Sequence, residues 1–212
     1  PCTAHLTYVA VDSRLKPVEV PSLAPESNDE ERLYNAAQER RELRKARIAA
    51  RAQMAGDVAF QAPQGPHTIE VATQIFPEDT LIHDFADAGS VMLTLDVTGG
   101  ILCARYARRV AVTASIDAVD FYSPLMVGEI MVVKAALNWV GRTSMEIGMK
   151  VLAENPWQGT LRHTTTAYFT FVAIDDAGKP VAVPPYTPQT EDEKRRFVEG
   201  AARRALRLSR AK

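Results

Sequence analysis

Cysteine is scarce in this sequence, with two residues in a chain of 212. Two cysteines are too few for the disulfide framework that stabilises small secreted domains. Cys103 lies in an apolar stretch, which favours a buried free thiol. The sequence therefore fits a reducing compartment better than an oxidising one.

Long apolar runs and an excess of positive charge are also missing. No uninterrupted apolar stretch approaches the roughly 20 residues that a membrane span requires. The formal net charge is -1, so no global basic field exists to hold nucleic acid, and any anion site must come from local clusters. Hydrophobic residues make up 46% of the chain, which is ample for a packed core.

The chain does contain an internal repeat. An offset of 163 residues places residues 3–12 on residues 166–175, with the same or a similar residue at most positions. The match continues without a gap to Asp29-Glu30 and Asp192-Glu193, each of which precedes an Arg-rich segment. Each copy is typical of a strand, a Pro-punctuated extended segment and a charged helix, because proline cannot donate to a sheet ladder.

Only the second copy has a domain's worth of sequence in front of it. A strand with one helix cannot bury enough apolar surface to fold alone. We therefore interpret residues 1–52 as the C-terminal strand and helix of a truncated first repeat, residues 53–65 as a linker, and residues 66–212 as a complete domain. The rest of the first repeat comes from an upstream region or from another polypeptide. The alternative is that residues 1–34 lie loosely on the second domain.

The second domain combines one strongly apolar helix with several strands. Segment 89–106 is apolar on nearly every face, which predicts a buried helix. Segments dense in Val, Thr, Ile and aromatic residues predict strands at 67–76, 110–121, 130–140, 145–153 and 161–174. Their short spacing favours antiparallel neighbours. The sequence thus predicts an α+β fold in which an antiparallel sheet wraps around a central helix, the hotdog arrangement.

Several motifs make the resemblance to a family specific. The motif segments are 112–121, 141–146, 153–155, 167–173 and 190–197. Together they resemble the acyl-CoA thioesterase hotdog family, and the similarity covers nearly all of residues 66–212. The tandem arrangement is similar to the double-hotdog members, with residues 1–52 in the position of the end of their first hotdog.

Asp96 lies inside the apolar helix and needs a physical explanation. A carboxylate there must be hydrogen-bonded, protonated or exposed to a cleft, because uncompensated burial is costly. Gly99 and Gly100 leave the neighbouring helix face bare, so that another backbone or a ligand can approach. A structural carboxylate remains an alternative. The family resemblance implies that Asp96 acts on a thioester, as general base or nucleophile.

The segment before this helix departs from the family pattern. The resemblance implies a catalytic role for the backbone N–H of Gly89, at the helix N-terminus, in polarising a thioester carbonyl. Family members usually carry Asn at the position of Leu81, whereas leucine cannot donate a hydrogen bond. Asp87 adds negative charge beside the expected oxyanion. His83 is a substitute donor, although a lone loop histidine is more often incidental.

Substrate-binding residues are also implied by the resemblance. Recognition of CoA needs backbone or hydroxyl groups along pantetheine and cations at its phosphates. The first role falls on two strand segments, and the second on Arg204 in the basic C-terminal helix. The strand residues are Ala114, Ser115, Ile116, Thr143, Ser144 and Met145.

The sequence therefore predicts an acyl-CoA thioesterase that hydrolyses acyl-CoA to free CoA and a carboxylic acid in fatty acid metabolism. It needs no metal and no cofactor beyond the CoA of its substrate. Its expected partner is another hotdog unit, in a homo-oligomer or from a second polypeptide, and its expected location is intracellular, mitochondrial or cytoplasmic. The alternative is a catalytically eroded hotdog protein, serving as a structural subunit or acyl-CoA-binding module of a larger complex. A hotdog dehydratase fits the strand motifs less well.

Overall fold

A computed structural model describes residues 3–14, 16–54, 66–81 and 84–210, without the side chains of residues 50–54 and 210. The chain divides into two compact units, Pro1–Gly56 and Asp57–Lys212. The first unit is an extended segment followed by helix α1 (Asn28–Met54). This helix agrees with the charged helix predicted from the sequence, and most of the predicted linker, residues 55–65, lies outside the described residues.

The second unit is built on one antiparallel sheet. Its strands are β1 (Thr68–Gln74), β2 (Val110–Ile116), β3 (Asp120–Phe121), β4 (Ile130–Val140), β5 (Ser144–Asn155) and β6 (Thr160–Ile174). Within the described part of the chain the order is β1-β4-β5-β6-β2, with β3 also pairing with β6. Strand β6 therefore lies between β5 and β2, and β2 is an edge strand.

The sheet wraps around helix α2 (Ala88–Ala107), which supplies the centre of the core. Leu95 and Cys103 of α2 are fully buried against the alternate residues of β5 and β6 that face inward, such as Ile147 and Phe169. Arg108, with a φ of 53°, ends the helix in the left-handed conformation and donates its N–H to the carbonyl oxygen of Ala104. An antiparallel sheet around a central helix confirms the predicted hotdog fold.

The last helix, α3 (Glu191–Arg210), packs on the outer face of the sheet. Gly200 allows this close approach, because a Cβ there would lie 2.8 Å from Cβ of Trp139 and 3.0 Å from Oε1 of Glu146. The two helices that flank the sheet thus occupy opposite faces, α2 inside and α3 outside. None of the helices in the described ranges combines the length and apolarity needed to cross a bilayer.

Candidate active site

Asp96 lies on α2 beside the edge strand β2. Its Oδ1 accepts a hydrogen bond from the hydroxyl of Thr113, and this is the only polar partner that the carboxylate has among the described residues. The side chain is half-buried, so it reaches solvent. The sequence allowed a carboxylate that is hydrogen-bonded, protonated or exposed to a cleft. The observed carboxylate is hydrogen-bonded and also open to solvent. The second oxygen, Oδ2, is available to take a proton.

The glycines that follow Asp96 do not leave open space for a ligand. The ring of Phe171 fills the site beside Gly99, where a Cβ would lie 2.7 Å from two ring carbons. Beside Gly100 the nearest atom to such a Cβ would again belong to Phe171, at 3.9 Å. The bare helix face is therefore a packing surface for a core aromatic, which corrects the expectation of a ligand approach from this direction.

The composition of α2 predicted a helix buried on every face, but one face of the helix is exposed. Leu93, Val97 and Ile101, at successive turns of the helix, are exposed and form an apolar strip on the same helix as Asp96. Val112 and Ile116 on β2 are also exposed. The carboxylate thus lies beside an open apolar surface, where an acyl group or a second protein surface can pack.

The N-terminus of α2 is capped by Asp87. Its Oδ1 accepts the N–H of Gly89 at 2.7 Å and that of Ser90 at 3.1 Å, and its Oδ2 accepts the Ser90 hydroxyl at 2.6 Å. The hydrogen bond from the Ser90 hydroxyl is the largest cause that lowers the pKa of Asp87. The N–H of Gly89, predicted to polarise a thioester, is therefore already donated to this carboxylate. Gly89 also makes room for the cap, since a Cβ would lie 2.8 Å from Asp87 Oδ1.

The remaining residues of this loop add little to the site. Leu81 is 81% exposed and carries no polar group. His83, the predicted substitute donor, lies outside the described residues.

The predicted CoA-binding residues of β2 lie at a β-bulge. The register of β2 against β6 shifts between Thr113 and Ser115, so Ala114 leaves the ladder. Ala114 and Ile116 are exposed and Ser115 is half-buried. The bulge frees main-chain groups close to Thr113, and hence close to Asp96.

The second predicted binding segment lies two strands away from the first. Thr113 pairs with Phe171, which pairs with Met145, so the two segments are separated by about 10 Å across β6. Met145 is fully buried in the core, which leaves only its main chain for any contact with a ligand, whereas Thr143 and Ser144 are half-buried.

Arg204 lies near this second segment. Its guanidinium carbon is 5.0 Å from the ring centroid of Trp139. The ring of Trp139 in turn packs against Gly141 in the turn that precedes Thr143. Arg204 is exposed, so its cationic group is accessible to a phosphate. Within one unit the structure therefore brings Asp96 together with the β2 bulge, and Arg204 together with the β4–β5 turn.

Comparison with known proteins places this geometry in a family. The model of the thioesterase superfamily matches residues 88–159. An uncharacterised acyl-CoA thioester hydrolase of Bacillus subtilis is 40% identical over 121 residues, which cover 57% of this chain and 70% of the relative. A solved apo hexameric acyl-CoA thioesterase superposes with a TM-score of 0.65 at 35% identity, covering 68% of this chain and 93% of that one. The chain belongs to the acyl-CoA thioesterase hotdog family.

Some relatives in the thioesterase family match nearly the whole chain. Mouse acyl-coenzyme A thioesterase 11, a double-hotdog protein, is 26% identical over 220 residues, which cover 99% of this chain and 37% of the relative. The similarity therefore includes the N-terminal repeat as well as the complete hotdog.

Sequence reasoning missed two features of this thioesterase. The first is Thr113, which lies in the motif segment 112–121. Nothing in the sequence marks its contact with Asp96, because that contact joins two elements 17 residues apart. The second is an ion-pair cluster between the sheet and α3. The carboxylate of Glu146, with 0% exposure, accepts hydrogen bonds from Arg203 at 2.7 and 3.1 Å. Arg207 bridges Glu146 at 3.4 Å and Asp117 at 2.7 Å.

The position of Asp117 connects this cluster to the binding strand. Asp117 follows directly after Ile116, and burial raises its pKa although Arg207 opposes the shift. The guanidinium of Arg203 also stacks on the ring of Tyr168, at 3.7 Å from its centroid. The sequence did carry a signal for this cluster. It was a glutamate between apolar neighbours in a strand, together with two arginines four residues apart on a later helix.

Proposed function

We propose that this thioesterase hydrolyses acyl-CoA to free CoA and a carboxylic acid, with Asp96 as the general base. The observation that carries the proposal is the carboxylate itself. It lies on the central helix, is oriented by the hydroxyl of Thr113 and stands beside an exposed apolar strip. A relative with 40% identity is named an acyl-CoA thioester hydrolase, which supports the substrate class.

The proposed reaction uses water as the nucleophile. Asp96 takes a proton from water as the water oxygen bonds to the thioester carbonyl carbon. The C–S bond then breaks, the sulfur of CoA receives the proton, and the carboxylic acid leaves with one oxygen from water. The hydrogen bond from Thr113 fixes Oδ1, so Oδ2 is the oxygen that faces the water. General-base assistance of this kind contributes about 10²–10⁴-fold to a rate.

The acyl group and a second hotdog unit are proposed to share the surface beside Asp96. Strand β2 is an edge strand with exposed Val110, Val112 and Ile116. Apolar side chains exposed on an edge strand offer a surface for another chain, although the bulge at Ala114 interrupts regular strand pairing there. The solved hexameric relative supports assembly of several units. The acyl chain would then lie along the helix strip between two units.

The CoA part of the substrate is proposed to follow the polar groups of β2 and the β4–β5 turn. Main-chain groups at Ala114–Ile116 and the hydroxyls of Thr143 and Ser144 would bind pantetheine, and Arg204 would bind phosphate. Because the two segments are about 10 Å apart across β6, one unit alone offers two separate patches. A neighbouring unit can complete either of them.

A non-catalytic role is the second candidate function. It is favoured by one observation, the hydrogen bond that ties the N–H of Gly89 to Asp87 and removes an oxyanion donor. In that case the chain would be a structural subunit or an acyl-CoA-binding module of a larger complex. An intracellular location, mitochondrial or cytoplasmic, is proposed for either function because the buried thiol of Cys103 suits a reducing compartment.

The experiment that separates the two functions is a hydrolysis assay over a series of acyl chain lengths, following release of the CoA thiol. We expect Asp96→Ala and Asp96→Asn to lower kcat by at least about 100-fold. The matched control is Asp176→Asn, an exposed carboxylate in the turn after β6, which should leave kcat within about twofold. Hydrolysis unchanged by Asp96→Ala would eliminate the mechanism. Absence of hydrolysis in the unmodified chain, with binding of acyl-CoA retained, would establish the second function.

A further inference from the structure

The two segments proposed to bind CoA are each followed directly by a carboxylate. Asp117 follows residues 114–116 of β2, and Glu146 follows residues 143–145 at the turn into β5. One guanidinium on α3 binds both carboxylates, since Nη1 of Arg207 lies 2.7 Å from Oδ2 of Asp117 and 3.4 Å from Oε2 of Glu146. Arg207 therefore links the ends of two segments whose strands are separated by β6.

Strand β2, which carries the first segment, is held weakly by the sheet. In the described sheet it is an edge strand that pairs only with β6. Its register shifts between Thr113 and Ser115, and a bulge of this kind disrupts the ladder and bends the strand. Regular pairing ends at Ile116, and the N–H of Asp117 makes one further bond to β6, at 3.0 Å. The ion pair at Asp117 thus anchors β2 at the point where its ladder stops.

Glu146 is the fixed point of this link. Its carboxylate has 0% exposure and also accepts two hydrogen bonds from Arg203. Its main chain pairs with Thr170 of β6, and Thr170 pairs on its other side with Ser115. These residues form one row across β5, β6 and β2, which places Glu146 level with the first CoA-binding segment. Arg207 thus connects the edge strand to a buried carboxylate that is already held in place.

The two arginines of α3 that bind Glu146 lie one helical turn apart and differ in what else they reach. Their side chains are equally buried, with exposures of 22% for Arg203 and 21% for Arg207. Arg203 stacks on Tyr168 of β6, so the sheet contacts described for it lie on β5 and β6. Arg207 extends the cluster to Asp117. Both arginines are expected to stabilise the fold, whereas Arg207 also fixes the end of β2.

We propose that Arg207 is a positioning residue for CoA binding, because it holds Asp117 and Glu146 with a single Nη1 and so sets the separation of residues 114–116 and 143–145. The inference rests on the proposed use of these two segments in CoA binding, and it gives Arg207 no contact with the substrate. A CoA molecule that contacts both segments binds more tightly when their separation is already set, since ordering them on binding costs free energy.

Titration of the chain with CoA, followed by calorimetry, tests the proposal. Asp117→Ala breaks the link and leaves Glu146 with both of its arginines, so no buried carboxylate loses all of its cations. We expect Asp117→Ala and Arg207→Ala each to raise the Kd of CoA by about 5-fold or more, the effect of one displaced hydrogen bond to the ligand. The two changes together should raise Kd by no more than about twofold beyond the larger single effect, because they break the same link.

The matched control is Arg203→Ala, with all titrations made well below the lowest Tm of the set. This change should lower Tm, because it removes a cation from a buried carboxylate, but it should leave the Kd of CoA within about twofold. A Kd that follows Tm, with Arg203→Ala as damaging as Arg207→Ala, would overturn the proposal. Effects of Asp117→Ala and Arg207→Ala that multiply, or an unmodified chain that does not bind CoA, would overturn it as well.

Kinetics separate positioning from the reaction step. Asp96 is oriented by Thr113, which precedes the bulge and pairs regularly with Phe171. We therefore expect Arg207→Ala to raise KM for acyl-CoA by about 5-fold or more, with kcat within about twofold. The same acyl group on N-acetylcysteamine, a thioester that lacks most of CoA, should be hydrolysed with unchanged kcat/KM.

An equal loss of kcat/KM with acyl-CoA and with the short thioester would contradict the positioning role of Arg207. If the unmodified chain hydrolyses neither substrate, the proposed hydrolysis fails, whereas the titration with CoA still decides the role of Arg207.

Discussion

Replacing Arg203 by alanine removes two of the N–H groups that hold the carboxylate of Glu146 beneath α3. The distances are 2.7 Å from Nη2 and 3.1 Å from Nε to the same oxygen, Oε1. Arg207 remains at 3.4 Å from Oε2, but it also serves Asp117 at 2.7 Å. The buried carboxylate, with 0% exposure, would therefore keep one distant cation and the amide of Asn138, at 3.3 Å.

The magnitude follows from this burial. Removing one member of a buried ion pair costs about 3–5 kcal/mol of the free energy of unfolding, because a charge stays buried without compensation. For a chain of this size, each kcal/mol corresponds to about 2–4 °C in Tm, so Arg203→Ala should lower Tm by about 6–20 °C. Replacing both partners, as Glu146→Gln with Arg203→Ala, should cost much less than the sum of the two single changes, since no buried charge is left unpaired.

Thermal melts of the four members of this cycle at pH 7 provide the assay. The control is Arg195→Ala on the same helix, which breaks ion pairs with Asp192 and Glu199 whose side chains are about half exposed. Exposed pairs contribute about 0–1 kcal/mol, so this Tm should change by less than about 4 °C. Equal effects of Arg203→Ala and Arg195→Ala, or additivity of the cycle within about 0.5 kcal/mol, would refute the reasoning.

Three further predictions concern the central helix and its carboxylate. Thr113→Val should lower kcat by about 10-fold or more with a smaller change in KM, because a hydrogen bond to a charged group contributes about 1.5–3 kcal/mol, and steady-state kinetics would measure it. Asp87→Asn keeps a good N-cap but loses the charge. Because the Ser90 hydroxyl lowers the pKa of Asp87 in the folded state, the unmodified chain should be more stable than Asp87→Asn above the pKa of the unfolded state. This difference should vanish as pH falls through the folded pKa, in melts from pH 6 to pH 2. Gly99→Ala should lower stability by about 1–3 kcal/mol through its clash with Phe171, whereas Gly100→Ala, with 3.9 Å of clearance, should be neutral or stabilising in denaturant unfolding.

The strands and the central helix were predictable because their signals are local. The dense Val, Thr and Ile content predicted strands at 130–140 and 161–174, and the structure has Ile130–Val140 and Thr160–Ile174. The predicted strand at 110–121 is divided into β2 and β3, because the pairing with β6 stops after Asp117, whose N–H still bonds to the carbonyl oxygen of Tyr168, and resumes at Asp120; the side chain of Asp117 pairs with Arg207. That contact joins residues 90 positions apart and has no local signature.

The site was predictable only in part, because several of its contacts join distant elements and have no local signal. A carboxylate inside an apolar helix drew attention to Asp96, with a structural role left open, and the family resemblance implied its catalytic role. Its orientation by Thr113, the loss of the Gly89 N–H to Asp87 and the burial of Met145 depend on side-chain placement between elements. The exposure of Leu93 on an apolar helix could not be foreseen from periodicity, because composition does not say which face a sheet covers.

Isotope transfer in a single turnover tests the central claim most directly. The unmodified chain, in excess over acyl-CoA, is allowed one turnover in water enriched in oxygen-18, and the acid product and the peptide containing Asp96 are weighed by mass spectrometry. General-base activation of water by Asp96 predicts one labelled oxygen in the carboxylic acid and none in Asp96. Label in the carboxylate of Asp96 would contradict the account, because it would mean that Asp96 had attacked the thioester itself.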